Sequence, residues 1–486
     1  MSEATVKKAN NNMYYIHLCI YLLITFGIGL IPPFGAITEL GMKVLGVFVG
    51  TIYGWLTLGL IWPSIFSMVA LGLCGYMGIT QAFCDGFGYM NIPILIMSFV
   101  FAAIADQTHI TEYLCNWLTS RKIIIGRPYV LMAVLFFGME VLNLLGTGFV
   151  GVFMIWGMVV SLAEAAGYEK GNPFVNFMIP AILVVFVLSG FIFPFKAGSL
   201  IIIGIFSQGT GLQMPDLPYV IWELIIVNLY ILLLLFVARF VLRMDLSALA
   251  SMNHSLDAGQ HDTKMNGEQK FGLTLLVAYI TMMLLPMLLP KELLVTKILS
   301  TLGILGSLGI LISIAMIKRT PDGKGYVDFS KVAAKGIAWD VIWLIVATTP
   351  LAAAFQAEEC GIMATLMGWL TPILTSMSPA IFIIACAVIL GITTQLVHNL
   401  ILAIVFIPVL CPLCASMGGN PYACYLAINM ALMLAFVTPA ASMNAGLIFG
   451  HSWMSAKNSY IQGTLHLVLG LALTLIVGLP LANILF

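Results

Sequence analysis

Gly171-Asn172-Pro173-Phe174 leads into a hydrophobic run that breaks at Phe191-Ile192-Phe193-Pro194-Phe195-Lys196-Ala197-Gly198-Ser199. Gly419-Asn420-Pro421-Tyr422 leads into one that breaks at Phe436-Val437-Thr438-Pro439-Ala440-Ala441-Ser442-Met443-Asn444. Upstream of each lies an apolar segment too long for a single span, interrupted near its middle at 143–147 and at 393–399. Backbone freed from its helix is tolerated at membrane depth only where it is buried in protein or lines a cavity. Paired interruptions at corresponding places in two halves therefore point to a solute site at the bilayer midplane.

Composition agrees with a membrane chain. Of 486 residues, 61% are hydrophobic and 8% are charged, where a soluble domain is about a quarter charged. Mean hydropathy is +1.07. About ten or eleven apolar stretches are long enough to span or to fold back as hairpins. The first, at 14–31, follows a polar, basic tail without a small-residue cleavage site, and reads as a retained anchor. The zero net charge gives no electrostatic footprint for nucleic acid. The nine cysteines lie mostly inside apolar runs, which argues against a disulfide framework; Cys411 and Cys414 read as small residues on one helix face.

The expected fold class is an all-α polytopic membrane protein with two inverted-topology repeats, each with a re-entrant helical hairpin and a broken transmembrane helix. The parse divides the chain into an N-terminal tail and first span (1–36), a first repeat (37–242), a polar cytosolic linker (243–270) and a second repeat (271–486). In the first half, spans at 37–55, 57–78 and 91–106 precede an amphipathic interfacial segment (109–120), a hairpin (128–163), a broken span (173–207) and a whole span (217–242). The second half repeats the order, with spans 271–289, 293–317 and 338–357, an interfacial segment 360–371, a hairpin 379–416, a broken span 421–450 and a last span 459–485. With the N-terminus in the cytosol, sixteen of the twenty Lys and Arg fall inside; Lys43, Lys291 and Lys297 fall outside, and Lys196 lies in the membrane. That asymmetry orients the chain. It also puts the two hairpins on opposite sides, which is what makes the repeats inverted.

The layout, the run Thr394-Gln395-Leu396-Val397-His398-Asn399-Leu400, the stretch from Phe436 to Gly450 and Trp339-Asp340-Val341-Ile342-Trp343 resemble the divalent anion–sodium symporter family. The likeness covers nearly the whole chain in layout, and in motif mainly the second half. It implies a secondary active transporter of a small anion, most often a di- or tricarboxylate, working as a homodimer in the cell membrane by elevator-like movement, usually with sodium and with no other cofactor. Family members carry a Ser-Asn-Thr triplet at each hairpin tip and a Thr-Pro-Pro-Asn-like run in each broken span. Here the tip positions are Leu145-Gly146-Thr147 and His398-Asn399-Leu400, and the broken spans give Lys196-Ala197-Gly198-Ser199 and Ala441-Ser442-Met443-Asn444.

Leu145 and Gly146 bring no side-chain oxygen to the first ion site, and a hard cation needs several. Lys196 stands there instead. An intramembrane lysine costs about 2.5–3.5 kcal/mol on insertion scales and is rarely left unpaired. The expectation is that its ammonium replaces the first sodium, with Glu140 as partner, so that transport is sodium-independent, proton-coupled or by exchange. A structural ion pair is the plainer reading. Expected substrate contacts are Thr147, Lys196, Ser199, His398, Asn399, Thr438, Ser442 and Asn444; Thr394, Asn399 and Ala440 are candidates for a remaining sodium. Glu223, beside Trp222 at the start of a span, reads as interfacial.

Alternatives are a sodium-coupled anion symporter using the second-half site, a cation/proton antiporter, or an anion channel. The broken spans hold no carboxylate, which weighs against the antiporter, and inverted pairing favours alternating access over a pore. No nucleophile–base or metal-ligand spacing argues for an enzyme, and no Gly-rich phosphate loop for direct use of ATP.

Overall fold

Asn at the cap and Pro at the first helical position form a helix start, and the Gly-Asn-Pro-aromatic stretches fold that way. In the computed structural model the Asn172 side chain accepts from Phe174 N at 2.8 Å, and Asn420 accepts from Tyr422 N at 3.0 Å. The structure describes residues 3–110, 113–114, 126–146, 148–251, 265–319, 323, 325–365, 368–369, 377–439 and 441–486. Thr147, Ala440, most of the interfacial segment at 109–120, the end of that at 360–371 and the middle of the linker lie outside the described residues.

The described chain is helical. Its elements are α1 (Glu3–Gly27), α2 (Glu39–Thr57), α3 (Ile61–Leu73), α4 (Ile79–Phe87), α5 (Asn91–Gln107), α6 (Pro128–Leu144), α7 (Gly148–Ala165), α8 (Pro173–Ser189), α9 (Ala197–Thr210) and α10 (Asp216–Phe236). After the short α11 (Ser247–Ser251) come α12 (Gly267–Leu288), α13 (Leu294–Ile317), α14 (Phe329–Gly336), α15 (Trp339–Gln356), α16 (Pro379–Thr393), α17 (Asn399–Ser416), α18 (Pro421–Met433), α19 (Met443–Phe449), α20 (Ala456–Leu473) and α21 (Leu479–Leu485). Among the described residues nine helices are long and apolar enough to cross a membrane. The chain is a multi-pass membrane protein. Helices α6 and α7 form the first hairpin, α16 and α17 the second; α8–α9 and α18–α19 are the interrupted helices.

The parse left residues 79–90 between spans; α4 occupies most of them, and α5 follows at a 50° bend. Helix α14 precedes α15 in the same way. These short helices are exchanged between halves: α4 packs on α15, and α14 packs on α5. Each contact uses a glycine for close approach. A Cβ on Gly86 would come within 2.4 Å of Val346 O, and one on Gly336 within 2.5 Å of the Ala103 Cβ. Reciprocity extends further, since α3 packs on α15 and α13 on α5.

In each half the interrupted helix packs against its own hairpin, α8 on α6 and α7, α18 on α16 and α17. The first parts, α8 and α18, are almost wholly buried, which explains why neither shows a polar stripe. Helix α9 then crosses to pack on α17 of the other half. Gly209 makes that crossing close, lying where a Cβ would meet the Pro408 Cα at 2.3 Å.

Candidate functional site

A helix interrupted in an apolar interior leaves carbonyls at the end of its first part and N–H groups at the start of its second. Both interruptions, and both hairpin tips, are answered by side chains from the neighbouring element. In the first half, Asn143 sits near the C-terminal end of α6, 6% exposed, and its amide donates to Phe186 O and to Ser189 Oγ at the end of α8, the latter at 3.0 Å. Its own carbonyl, one of those left over at the end of α6, accepts from the Lys196 ammonium and from Gly146 N. Lys196 is the N-cap residue of α9 and is half-buried. A cation against a helix C-terminus is favoured by the orphan carbonyls and the dipole. Gly146 has φ +83°, a left-handed conformation that suits glycine at this tight tip.

In the second half the same task falls to Gln395. Its Nε2 donates to Gly391 O at 2.8 Å and to Leu434 O at 3.1 Å, while its Oε1 accepts from Val437 N at 2.9 Å. One buried carboxamide thus satisfies both sides of the break after α18. Thr438 Oγ1 donates to Gln395 O. Ser442 Oγ donates to Ala435 O at 2.7 Å and caps α19 by accepting from Ala445 N at 3.1 Å.

Between these assemblies lies a cavity of about 560 Å³ lined from both halves: Asn143 to Gly146, Phe191, Lys196 to Gly198, His398 to Leu400, and Asn444. His398 is the N-cap residue of α17, and its Nδ1 accepts from Leu400 N at 3.3 Å, so a neutral ring carries its proton on Nε2. Asn399 Oδ1 also accepts from Leu400 N, at 2.9 Å, leaving its NH₂ with a sulfur contact to Met433 at 3.9 Å. Lys196 is the only lysine, arginine or acidic residue among the described lining residues.

Several expectations need correction. Glu140 does not pair with Lys196: its carboxylate accepts from Asn228 Nδ2 on α10 at 3.0 Å, because it leaves α6 on the side facing α10 while the lysine meets the helix end. Among the described residues the ion pair within bonding distance is the surface Lys331–Asp328. Ser199, Thr438 and Ser442 are absent from the lining; each hydroxyl is spent on backbone carbonyls exposed by a break, Ser199 on Phe191 O at 3.3 Å. Glu223, seven residues into α10, is buried within the protein at 3% exposed, and Trp222 beside it donates to Gly478 O at 2.8 Å. Lys196, His398, Asn399 and Asn444 do line the cavity. Asn143 and Gln395 were not among the expected site residues; the available signal was a carboxamide near the end of the first hairpin arm in each half.

A hard cation such as sodium needs several oxygen ligands. At the second tip and break two buried oxygens make no hydrogen bond: Thr394 Oγ1, on a residue 0% exposed, and Asn444 Oδ1. Asn399 Oδ1 accepts from Leu400 N and keeps a second lone pair. The residues present therefore fit a cation in the second half, held by Thr394 and Asn444 with carbonyl help, and in the first half the Asn143 carbonyl already has one.

A polytopic helical protein with a buried cavity between two interrupted helices has the architecture of a membrane transporter. Over 142 residues the chain is 23% identical to the Na(+)/citrate cotransporter of Rattus norvegicus, a match covering 29% of this chain and 24% of that protein's length. Its fold is that of the Alcanivorax borkumensis YdaH transporter, described as having an unusual topology; the TM-score is 0.56 at 16% identity, covering 83% of this chain and 87% of that one. No family model matches the chain. The first likeness spans about a quarter of the rat protein's length, and the second is one of fold.

Proposed function

We propose that the chain is a secondary carrier of a small anion, and that the Lys196 ammonium supplies the fixed positive charge that draws substrate into the cavity. One observation carries the reading: both hairpin tips and both helix breaks line a single cavity whose described charge is Lys196, held on a leftover carbonyl of the first tip. The start of α9 behind it, with Ala197 and Gly198 at the wall, adds N–H dipoles of the same sign. A covalently tethered ammonium on that carbonyl occupies the role a bound cation would take, so the first half needs no sodium. If the lysine releases its proton during the cycle, transport is proton-coupled; if it keeps it, transport is uniport or exchange.

The reciprocal packing of α4 on α15 and α14 on α5 supports two repeats, 37–242 and 271–486, related by inversion in the membrane. Such halves can expose one cavity alternately to each side, in an elevator-like movement of the hairpins and broken helices past the other spans. The cytosolic N-terminus and a homodimer in the cell membrane complete the proposal.

A second reading, sodium symport through the second half, is favoured by the unpartnered Thr394 and Asn444 oxygens and by the likeness to the rat Na(+)/citrate cotransporter. Counterflow in proteoliposomes prepared in potassium salts decides between them. The lysine reading expects labelled organic anion to exchange without sodium; exchange that appears only when sodium is added transfers the cationic role to the second half.

A further inference from the structure

The two hairpin tips differ in what they can offer a solute. The second presents His398 and Asn399, with an Nε2 proton and an amide free of oxygen partners. Among the described residues the first presents Leu144, Leu145 and Gly146, none with a side-chain donor, and Asn143 spends its amide on Phe186 O and Ser189 Oγ. Near the first tip the wall is aromatic, with Phe149 and Phe186 rings 4.9 Å apart and Phe191 at the break itself.

We infer that the solute is a monocarboxylate with an apolar or aromatic body, its carboxylate held between Lys196, His398 and Asn399 and its body against Leu145 and the phenylalanines. This inference rests on the carrier reading above and names its substrate class. The physical ground is charge and donor balance. One ammonium neutralises one carboxylate, and the donors at the second tip complete its hydrogen bonds. A second carboxylate would meet a wall of phenyl rings and leucine methyls with the Ser98 hydroxyl and, among the described lining residues, no second cation, and an ionised group left without a counter-charge in such surroundings is strongly disfavoured. A cavity of about 560 Å³ is roomy for a small acid with a ring and falls in the range of small-molecule sites. The di- or tricarboxylate expected from the family resemblance relies on polar triplets at both tips, and the first tip here keeps one polar residue of the three, Thr147.

The test uses the full chain in proteoliposomes loaded with unlabelled acid, measuring entry of labelled phenylpyruvate, succinate and citrate. Phenylpyruvate should enter about 100-fold faster than succinate, the size expected for one uncompensated buried charge, and citrate, with two more carboxylates than phenylpyruvate, should enter more slowly still. In Leu145→Lys, which gives the first tip a cation, the succinate-to-phenylpyruvate ratio should rise at least about tenfold. Entry of citrate or succinate as fast as phenylpyruvate, lost in Lys196→Met, overturns the substrate class and leaves the carrier reading standing. Entry of none of the three, while the protein melts cooperatively, overturns both. An unchanged ratio in a folded Leu145→Lys protein overturns the inference on its own.

Discussion

The break after α8 and the break after α18 pose one physical problem and receive different answers. Each frees backbone groups in an apolar interior, where leaving a carbonyl or N–H without a partner costs about 1–3 kcal/mol. In the first half a carboxamide, Asn143, secures the end of α8, and an ammonium takes the leftover carbonyl of the hairpin. In the second half a carboxamide, Gln395, secures both sides of the break, hydroxyls take further carbonyls, and no charge is used. The neutral solution leaves Thr394 and Asn444 oxygens unpartnered; the charged one leaves its cation in the cavity wall. Pseudo-symmetric scaffolds can thus share a backbone and still divide the labour of charge between their halves.

Lys196→Met breaks the comparison most directly. Removing the cation should lower anion exchange by about 100-fold or more, because a transported carboxylate then has no counter-charge in a low-dielectric site. Exchange within a factor of about three of wild type would make the lysine merely structural. Gln395→Ala tests the neutral solution. It strands Val437 N and takes the side-chain donor from Gly391 O, while Leu434 O keeps Phe436 N, and should cost about 2–4 kcal/mol, two stranded groups, seen as a lower melting temperature in detergent. A melt within a degree or two of wild type would show that the break relaxes without it.

Asn143→Leu removes the corresponding bonds of the first half, and should cost less, about 1–2 kcal/mol, since Ser189 Oγ keeps its bond to Phe186 O. Equal losses in the two variants would erase the proposed asymmetry. Thr394→Val sharpens the remaining contrast. The hydroxyl has no protein partner, so the melt should move by under about 1 kcal/mol, while any stabilisation by added sodium should vanish. Sodium stabilisation that survives would locate the ion elsewhere. Smallest of all, Glu140→Gln should leave exchange within about twofold, since the carboxylate meets Asn228 rather than Lys196 and an amide can still accept that bond. A large loss would mean that Glu140 and the lysine communicate during the cycle.

Much of the fold was legible. The Gly-Asn-Pro-aromatic stretches are local signals, and both became capped helix starts because an Asn cap and an N1 proline act through neighbouring backbone alone. The spans followed from hydrophobic length, and the hairpins and interrupted helices from where apolar runs were too long or carried prolines and small residues. Lys196, His398, Asn399 and Asn444 could be nominated because a polar side chain at a break in an apolar chain has few places to go. Ser199, Thr438 and Ser442 could not be sorted from them, since a hydroxyl at a break serves equally well facing a solute or returning to a carbonyl. Thr147 and Ala440 lie outside the described residues and keep their standing as candidates.

By itself the sequence determined what each segment is: a membrane-spanning run, a cap, a break, a tip with or without polar atoms. These depend on hydropathy and on bonds between residues a few positions apart. Only the tertiary structure decided which segments meet. That Lys196 reaches Asn143 O and not Glu140, that Gln395 joins Leu434 to Val437, and that two distant tips enclose one cavity depend on packing between elements up to 250 residues apart. Distances of that kind are set by how helices close on one another through Gly86, Gly336 and Gly209, and no local periodicity encodes them.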